Sequence, residues 1–263
     1  MELELAEEVA ARAARAAGDV VLRHYKQDVV VEAKPDDSPL TRADVEANDV
    51  IVAVLRDAFP HDAILSEEAV DDSARLAQQR VWIVDPLDGT RDFIAHTDEF
   101  CVHVGLAIDG RAVVGAVYQP VAQTLFCARA GGGAWRHADG RKTRLQVSQR
   151  ERAQCVGISR LNVSERLLRG LEGVELRRMG ASTKHMLLAA GGLDAVINFS
   201  AGEHEWDTCA PEVIIREAGG ELTDVDGNHF RYNQPDPRHV RGSIASNRAC
   251  HAALVERVRP WFS

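Results

Sequence analysis

Three acidic motifs in this chain stand where apolar runs stop. Ser66-Glu67-Glu68 follows Ala63-Ile64-Leu65, and Asp85-Pro86-Leu87-Asp88-Gly89-Thr90 follows Val81-Trp82-Ile83-Val84. Trp206-Asp207 opens a helix beyond an apolar run at 195–199. In α/β folds ligands bind outside the carboxyl ends of strands. Three such ends brought together would place Glu67, Asp85, Asp88 and Asp207 in one pocket. Like charges that close cannot all stay ionised without a cation. Carboxylate and carbonyl oxygens select a hard divalent ion, for which Mg²⁺ is the usual choice.

A lone aspartate at a strand end is ordinarily a turn residue or a helix cap. The hexapeptide Asp85–Thr90 carries more than that. Pro86 fixes one φ, Gly89 frees another, and two carboxylates three residues apart can face the same ion. The N–H groups of Gly89 and Thr90 can hold an anion, as a loop entering a helix does.

Other phosphate-handling and hydrolytic signatures are missing. There is no GxxxxGK[ST] loop, no GxGxxG, no GxSxG, and His204-Glu205 lacks the second histidine of HExxH. Cys155 and Arg160 are five apart, one short of the cysteine-phosphatase spacing. Asp224-Val225-Asp226-Gly227-Asn228 reads as a hairpin turn rather than a metal loop.

The elements that must position these residues follow from periodicity. An alanine-rich amphipathic helix fills the first 26 residues. After a loop at 35–39, Thr41-Arg42-Ala43-Asp44 resembles a capped helix start, and that helix should run to Ala58 before Pro60. Short strands at 63–65 and 81–84 flank a polar helical stretch, and turn signals from 100 to 147 mark an antiparallel meander. Beyond it, strands at 155–158, 175–177 and 195–199 alternate with helices near 163–171, 182–190 and 207–218, the last ending at Gly219-Gly220. The chain reads as two α/β halves, 1–150 with the metal-site loops and 151–263 completing the site, without a loose linker between them.

Composition sets limits. With 45% hydrophobic and 27% charged residues the chain is globular, and its longest apolar run, 50–55, falls far short of a membrane span. The acidic start lacks the cationic region of a signal peptide, so a soluble cytoplasmic protein is expected. A net charge of −9, from 31 basic against 40 acidic residues, argues against nucleic-acid binding. The odd set of five cysteines, none in a CxxC, fits reduced thiols better than disulfides or a zinc ribbon.

Together, Glu67-Glu68, Asp85-Pro86-Leu87-Asp88-Gly89-Thr90 and Trp206-Asp207-Thr208-Cys209-Ala210-Pro211-Glu212 resemble the signature motifs of the inositol monophosphatase superfamily over essentially the whole chain. Asp88-Gly89-Thr90-Arg91-Asp92-Phe93, the Glu205-Trp206-Asp207 helix start and Phe230-Arg231-Tyr232-Asn233 look like its 3'(2'),5'-bisphosphate nucleotidase branch. The resemblance implies an α/β (α+β) fold, a five-layer αβαβα sandwich, with two or three Mg²⁺ ions. Glu67, Asp85 and the Leu87 carbonyl would hold one ion; Asp85, Asp88 and Asp207 a second; Glu67 with waters a third. Asp44 would pair with Thr90 to orient the attacking water, although the residues alone favour a plain first-turn cap for Asp44.

The implied chemistry is in-line hydrolysis of a phosphate monoester, with the N–H groups of Gly89 and Thr90 on a phosphoryl oxygen and no phosphoenzyme. Inositol-type relatives carry a glutamate seven residues before the motif aspartate, where this chain has Ser200. The nucleotide end falls to Ser159, Arg160, Asn162, Gly180 and Lys184, with Asp88 and Asp207 facing the phosphate; by itself Lys184 reads as an ordinary exposed lysine, and the resemblance raises the binding role above that. The implied substrate is 3'-phosphoadenosine 5'-phosphate, giving AMP and phosphate, with a place in sulfur assimilation, sensitivity to Li⁺ and a homodimeric assembly. An inositol or fructose-bisphosphate phosphatase, a promiscuous phosphatase and a non-catalytic metal- or nucleotide-binding regulator stay open as alternatives.

Overall fold

The computed structural model describes residues 1–27, 31–33, 39–160, 165–181, 183–199 and 202–262. Asn162, Ser200 and most of the loop expected at 35–39 lie outside the described residues.

Helix α1 (Glu2–His24) buries a face rich in small residues: Ala6, Ala10, Ala13, Ala14 and Ala17 are all inaccessible, beside Val9, Val20 and Val21. Alanines at helical spacing let a helix lie close on its neighbour. A strand pair, β1 (Val31–Ala33) and β2 (Pro39–Thr41), leads into α2 (Arg42–Ala58), where Thr41 is the N-cap and Asp44 the third helical residue.

Next come β3 (Ala63–Ser66), β4 (Arg80–Asp88) and the short α3 (Thr90–Ile94). The meander follows as β5 (Cys101–Ile108), β6 (Arg111–Gln119), β7 (Thr124–Arg129), β8 (Gly133–Ala138) and β9 (Arg141–Arg144). These strands form one seven-stranded sheet in chain order, β3–β4 parallel and the rest antiparallel. The strand expected to stop at Val84 instead continues to Asp88, bulging between Asp85 and Asp88. Pro86 has no N–H for the ladder, so pairing skips a step and resumes at Asp88.

The remainder runs β10 (Cys155–Ser159), α4 (Glu165–Gly170), β11 (Glu175–Met179), α5 (Thr183–Ala189), β12 (Ala195–Asn198), β13 (Glu203–His204) and α6 (Glu205–Glu217). It closes with β14 (Gly220–Asp224), β15 (Arg238–His239), β16 (Ser243–Asn247) and α7 (Arg248–Val258). The second sheet has the order β11-β10-β12-β16-β14. Gly219, at φ +93°, takes the left-handed turn that ends α6. The Asp224–Asn228 segment is a turn closed by Asp224 on the N–H groups of Asp226 and Asn228, but the antiparallel partner of β14 is β16, reached only after β15, so it is not the turn of a tight hairpin.

Side-chain alternation shows the layering. Trp82 and Val84 face α1 and α2, whereas Val81 and Ile83 join a core shared with α5, α6 and the second sheet. In that sheet Val196 faces this middle core, and Ala195 and Ile197 face α7 and Leu168 of α4. The architecture is therefore the expected five-layer αβαβα sandwich. Helix α6 is covered by sheets on both its sides, and Val213, Ile214 and Ile215 on it are inaccessible.

One detail places α6. Gly105 and Gly115 are cross-strand partners on β5 and β6 and leave a flat spot under the helix. A Cβ at Gly115 would overlap the carbonyl oxygen of Ala210, and one at Gly105 would stand 2.7 Å from Cys209 Sγ.

Candidate active site

The carboxylates converge through strand register. Parallel pairing sets Ser66 beside Val84, so Glu67 and Asp85 leave neighbouring strands together; the Glu67 N–H donates to the Val84 carbonyl at 3.2 Å. The Asp85 and Glu67 side chains are in hydrogen-bond contact. Asp85 Oδ1 accepts from the Leu87 N–H at 2.9 Å, which folds the Asp-Pro-Leu turn. The bulge then returns Asp88 to the same mouth.

Asp207 arrives from the opposite side as the third residue of α6. Its Oδ2 accepts from the N-cap N–H of His204 at 2.6 Å, which fixes the side chain at the helix start. Ligand oxygens of Asp85, Asp88 and Asp207 then lie within 4.8 Å of one another. Burial, then the charges of Glu67, Asp88 and Asp207, pushes the Asp85 carboxyl well above the usual range. Asp207 is raised likewise, first by burial and then by Asp88 and Glu67. Acids held together and desolvated need protons or a cation between them, and donors that are all oxygen fit a hard divalent ion.

On the other flank, the Thr90 hydroxyl lies 3.2 Å from both Asp44 Oδ1 and the Leu87 carbonyl oxygen. Asp44 Oδ2 caps α2 by accepting from the Thr41 N–H and hydroxyl, and its Oδ1 faces Thr90. Gly89, at φ +93°, makes the turn that presents the α3 N–H groups.

A family profile described as "Inositol monophosphatase family" matches residues 2–260. The chain belongs to the inositol monophosphatase family. It is 37% identical over 227 residues to the 3'(2'),5'-bisphosphate nucleotidase CysQ of Salmonella typhimurium, covering 83% of this chain and 90% of that one. It is 33% identical over 260 residues to the Nus factor SuhB of the same organism, covering 91% and 94%. The solved inositol monophosphatase of Thermotoga maritima superposes with a TM-score of 0.81 at 25% identity, over 99% of this chain and 98% of that one. Membership makes this a metal-dependent phosphatase of small phosphorylated substrates whose acidic cluster can hold the metal.

Within this family fold, the residues assigned from sequence to the far end of the substrate are arranged differently from free cationic hands. Arg160 divides its guanidinium between Asp92 and Glu99, both at 2.6 Å. The Gly180 N–H also donates to Glu99, and a side chain at Gly180 would collide with the Asp92 carboxylate. Lys184 is buried rather than exposed, at 7% accessibility, and donates to the Ala181 carbonyl at 2.5 Å. Helix α5 lies in the middle layer, so even its polar residues are covered. Ser159 ends β10 near this cluster, and Asn162 lies outside the described residues.

Two groups escaped the sequence reading. His103, wholly buried on β5, pairs across the ladder with Asp85 and sets Nε2 at 3.4 Å from Asp88 Oδ2. Nothing local marks it, because only strand register brings it to the acidic cluster. Glu205, buried beside Asp207, accepts from the N–H groups of Asn233 and Gln234, while Asn233 is locked to Arg75. Tyr232 donates to Glu212 at 2.6 Å. The Tyr232-Asn233 pair that resembles the nucleotidase branch is thus a brace for the base of α6. The distance of this pair in sequence from Glu205 and Glu212 conceals that role.

Proposed function

We propose that this member of the inositol monophosphatase family is a Mg²⁺-dependent 3'(2'),5'-bisphosphate nucleotidase, which removes the 3'-phosphate of 3'-phosphoadenosine 5'-phosphate. The observation that carries the hydrolytic reading is the meeting of Asp85, Asp88 and Asp207 beside the Thr90–Asp44 hydrogen bond. Glu67, Asp85, Asp88, Asp207 and the Leu87 carbonyl would hold the ions. Bound there, Mg²⁺ would supply Lewis acidity to the phosphoryl group and its attacking water. Thr90 donates to Asp44 Oδ1, so its own oxygen lone pairs face outward to accept a hydrogen from that water. Asp44, fixed by its cap, is the final proton acceptor. The N–H groups following Gly89 hold a phosphoryl oxygen against the growing negative charge.

The nucleotide preference is supported by the likeness to the Salmonella nucleotidase. A second reading, a phosphatase of inositol phosphates or of several monoesters, is favoured by the likeness to the Thermotoga inositol monophosphatase and by Arg160, whose two terminal nitrogens are each already paired with a carboxylate. Phosphate release from 3'-phosphoadenosine 5'-phosphate and from inositol 1-phosphate, with Mg²⁺ and with chelator, separates the two. The nucleotidase reading expects kcat/KM to favour the nucleotide by at least about 10²-fold, most of which one charge-assisted contact supplies. Equal efficiency, or preference for inositol phosphate, replaces it with the second reading. Release undiminished in chelator rejects both.

A further inference from the structure

We propose a second metal site in this protein, formed by His103 Nε2, Cys101 Sγ and the Asp88 carboxylate, that takes a borderline-soft divalent cation, Zn²⁺. Cys101 and His103 alternate on β5, so both side chains leave the same face, and the register sets them opposite Asp88 and Asp85. The three ligand atoms lie within 4.8 Å of one another. Cys101 and His103 are both wholly buried.

The histidine supplies the independent observation. Its Nδ1 lies 3.2 Å from the Trp206 carbonyl oxygen, which can only accept, so Nδ1 carries the proton and Nε2 presents a lone pair. That lone pair has no hydrogen-bond donor and points at Asp88 Oδ2, 3.4 Å away. Two acceptors facing each other in a buried pocket require a cation or an extra proton between them. A backbone carbonyl holding the far nitrogen is also how metal-binding histidines are usually oriented.

The donor set decides which ion. Nitrogen, sulfur and oxygen in one small site suit Zn²⁺, whereas Mg²⁺ prefers oxygen alone. On binding, the Cys101 S–H bond breaks, its proton leaves to solvent, and sulfur bonds the metal as thiolate. Thiolate, carboxylate and dication then sum to zero charge, which the buried pocket tolerates. Because Asp88 belongs to both sites, zinc here withdraws it from the oxygen cluster and opposes Mg²⁺.

The test reads binding without substrate, so its outcome is separate from that of the phosphatase reading. Metal-free protein is titrated with Co²⁺, a spectroscopic stand-in for Zn²⁺. A sulfur-to-cobalt charge-transfer band should saturate at one equivalent and disappear when Zn²⁺ is added. Cys101→Ser should lose the band with an unchanged circular dichroism spectrum, and His103→Gln should weaken Co²⁺ binding at least about 10-fold. Weak octahedral bands without charge transfer would mean that Asp88 and His103 share only a proton, and would overturn the site. A band that survives in Cys101→Ser would overturn it too, by assigning the sulfur to another cysteine.

Discussion

Thr90 and Asp44 meet through a single hydrogen at 3.2 Å, and the two oxygens of Asp44 divide the work. Oδ2 is taken up by the Thr41 N–H at 2.7 Å and its hydroxyl at 2.5 Å, while Oδ1 is left to Thr90. The Thr90 hydroxyl has one proton and two acceptors, Asp44 and the Leu87 carbonyl, so the charge on Asp44 decides which way it points.

Asp44→Asn keeps a capping oxygen but turns an N–H₂ toward Thr90. Turnover should fall about 10²-fold or more, the range of a lost general base, while the melting temperature moves only by the loss of part of a cap, about 2–4 °C. Steady-state kinetics beside thermal melts check this; full turnover in the variant would leave Asp44 as a cap and nothing else.

Asp207→Asn preserves an acceptor for the His204 N–H and removes one charge from the cluster. It should cut turnover by about 10²-fold and leave the metal-free protein at least as stable as wild type. The pH dependence has a definite sign. The folded carboxyls of Asp85 and Asp207 are raised, so the native state holds protons more tightly than the unfolded chain. Metal-free stability from these groups is full below the usual carboxylate range and is lost as pH rises through the folded values. A divalent cation removes that loss, so Mg²⁺ should raise the melting temperature more at about pH 8 than at about pH 5. Equal shifts at the two pH values would contradict the shared-charge account.

His239 gives the opposite slope. Burial lowers its imidazole from 6.5 to about 4, under Phe230 at a ring distance of 4.0 Å and against the Thr208 hydroxyl at 2.8 Å. Between these values the unfolded chain takes a proton that the folded one refuses, so stability rises with pH across the window. The full effect is about 3 kcal/mol. Glu205, which burial raises to about 7, runs the other way, so the quantity to measure is the difference between wild type and His239→Gln. Denaturant unfolding from about pH 4 to pH 7 should show that difference widening upward. Parallel curves would refute it.

Gly115→Ala tests how the site is seated. The added methyl meets the backbone of Ala210, which has no rotamer to change, so α6 must lift and carry Asp207 with it. A loss of about 1–3 kcal/mol or more is expected, with reduced turnover at saturating Mg²⁺. An unaffected melting temperature would show that the helix has slack that the packing does not suggest.

Much of this protein is written locally in its chain. The alanine stripe of α1, the Thr41 cap, the turn signals of the meander and the three acidic motifs are all patterns within a dozen residues, governed by backbone sterics and side-chain period. What tertiary structure alone decided depends on partners far apart in sequence. Arg160 could be recognised as a cation, but only folding pairs it with Asp92 and Glu99, 68 and 61 residues away. Lys184 is a helical lysine like any other until a second sheet covers its helix. The register of β4 against β5 brings His103 to Asp88, and the Gly105–Gly115 flat spot sets the height of Asp207. Charge and burial at those positions are properties of packed layers, which no local spacing encodes.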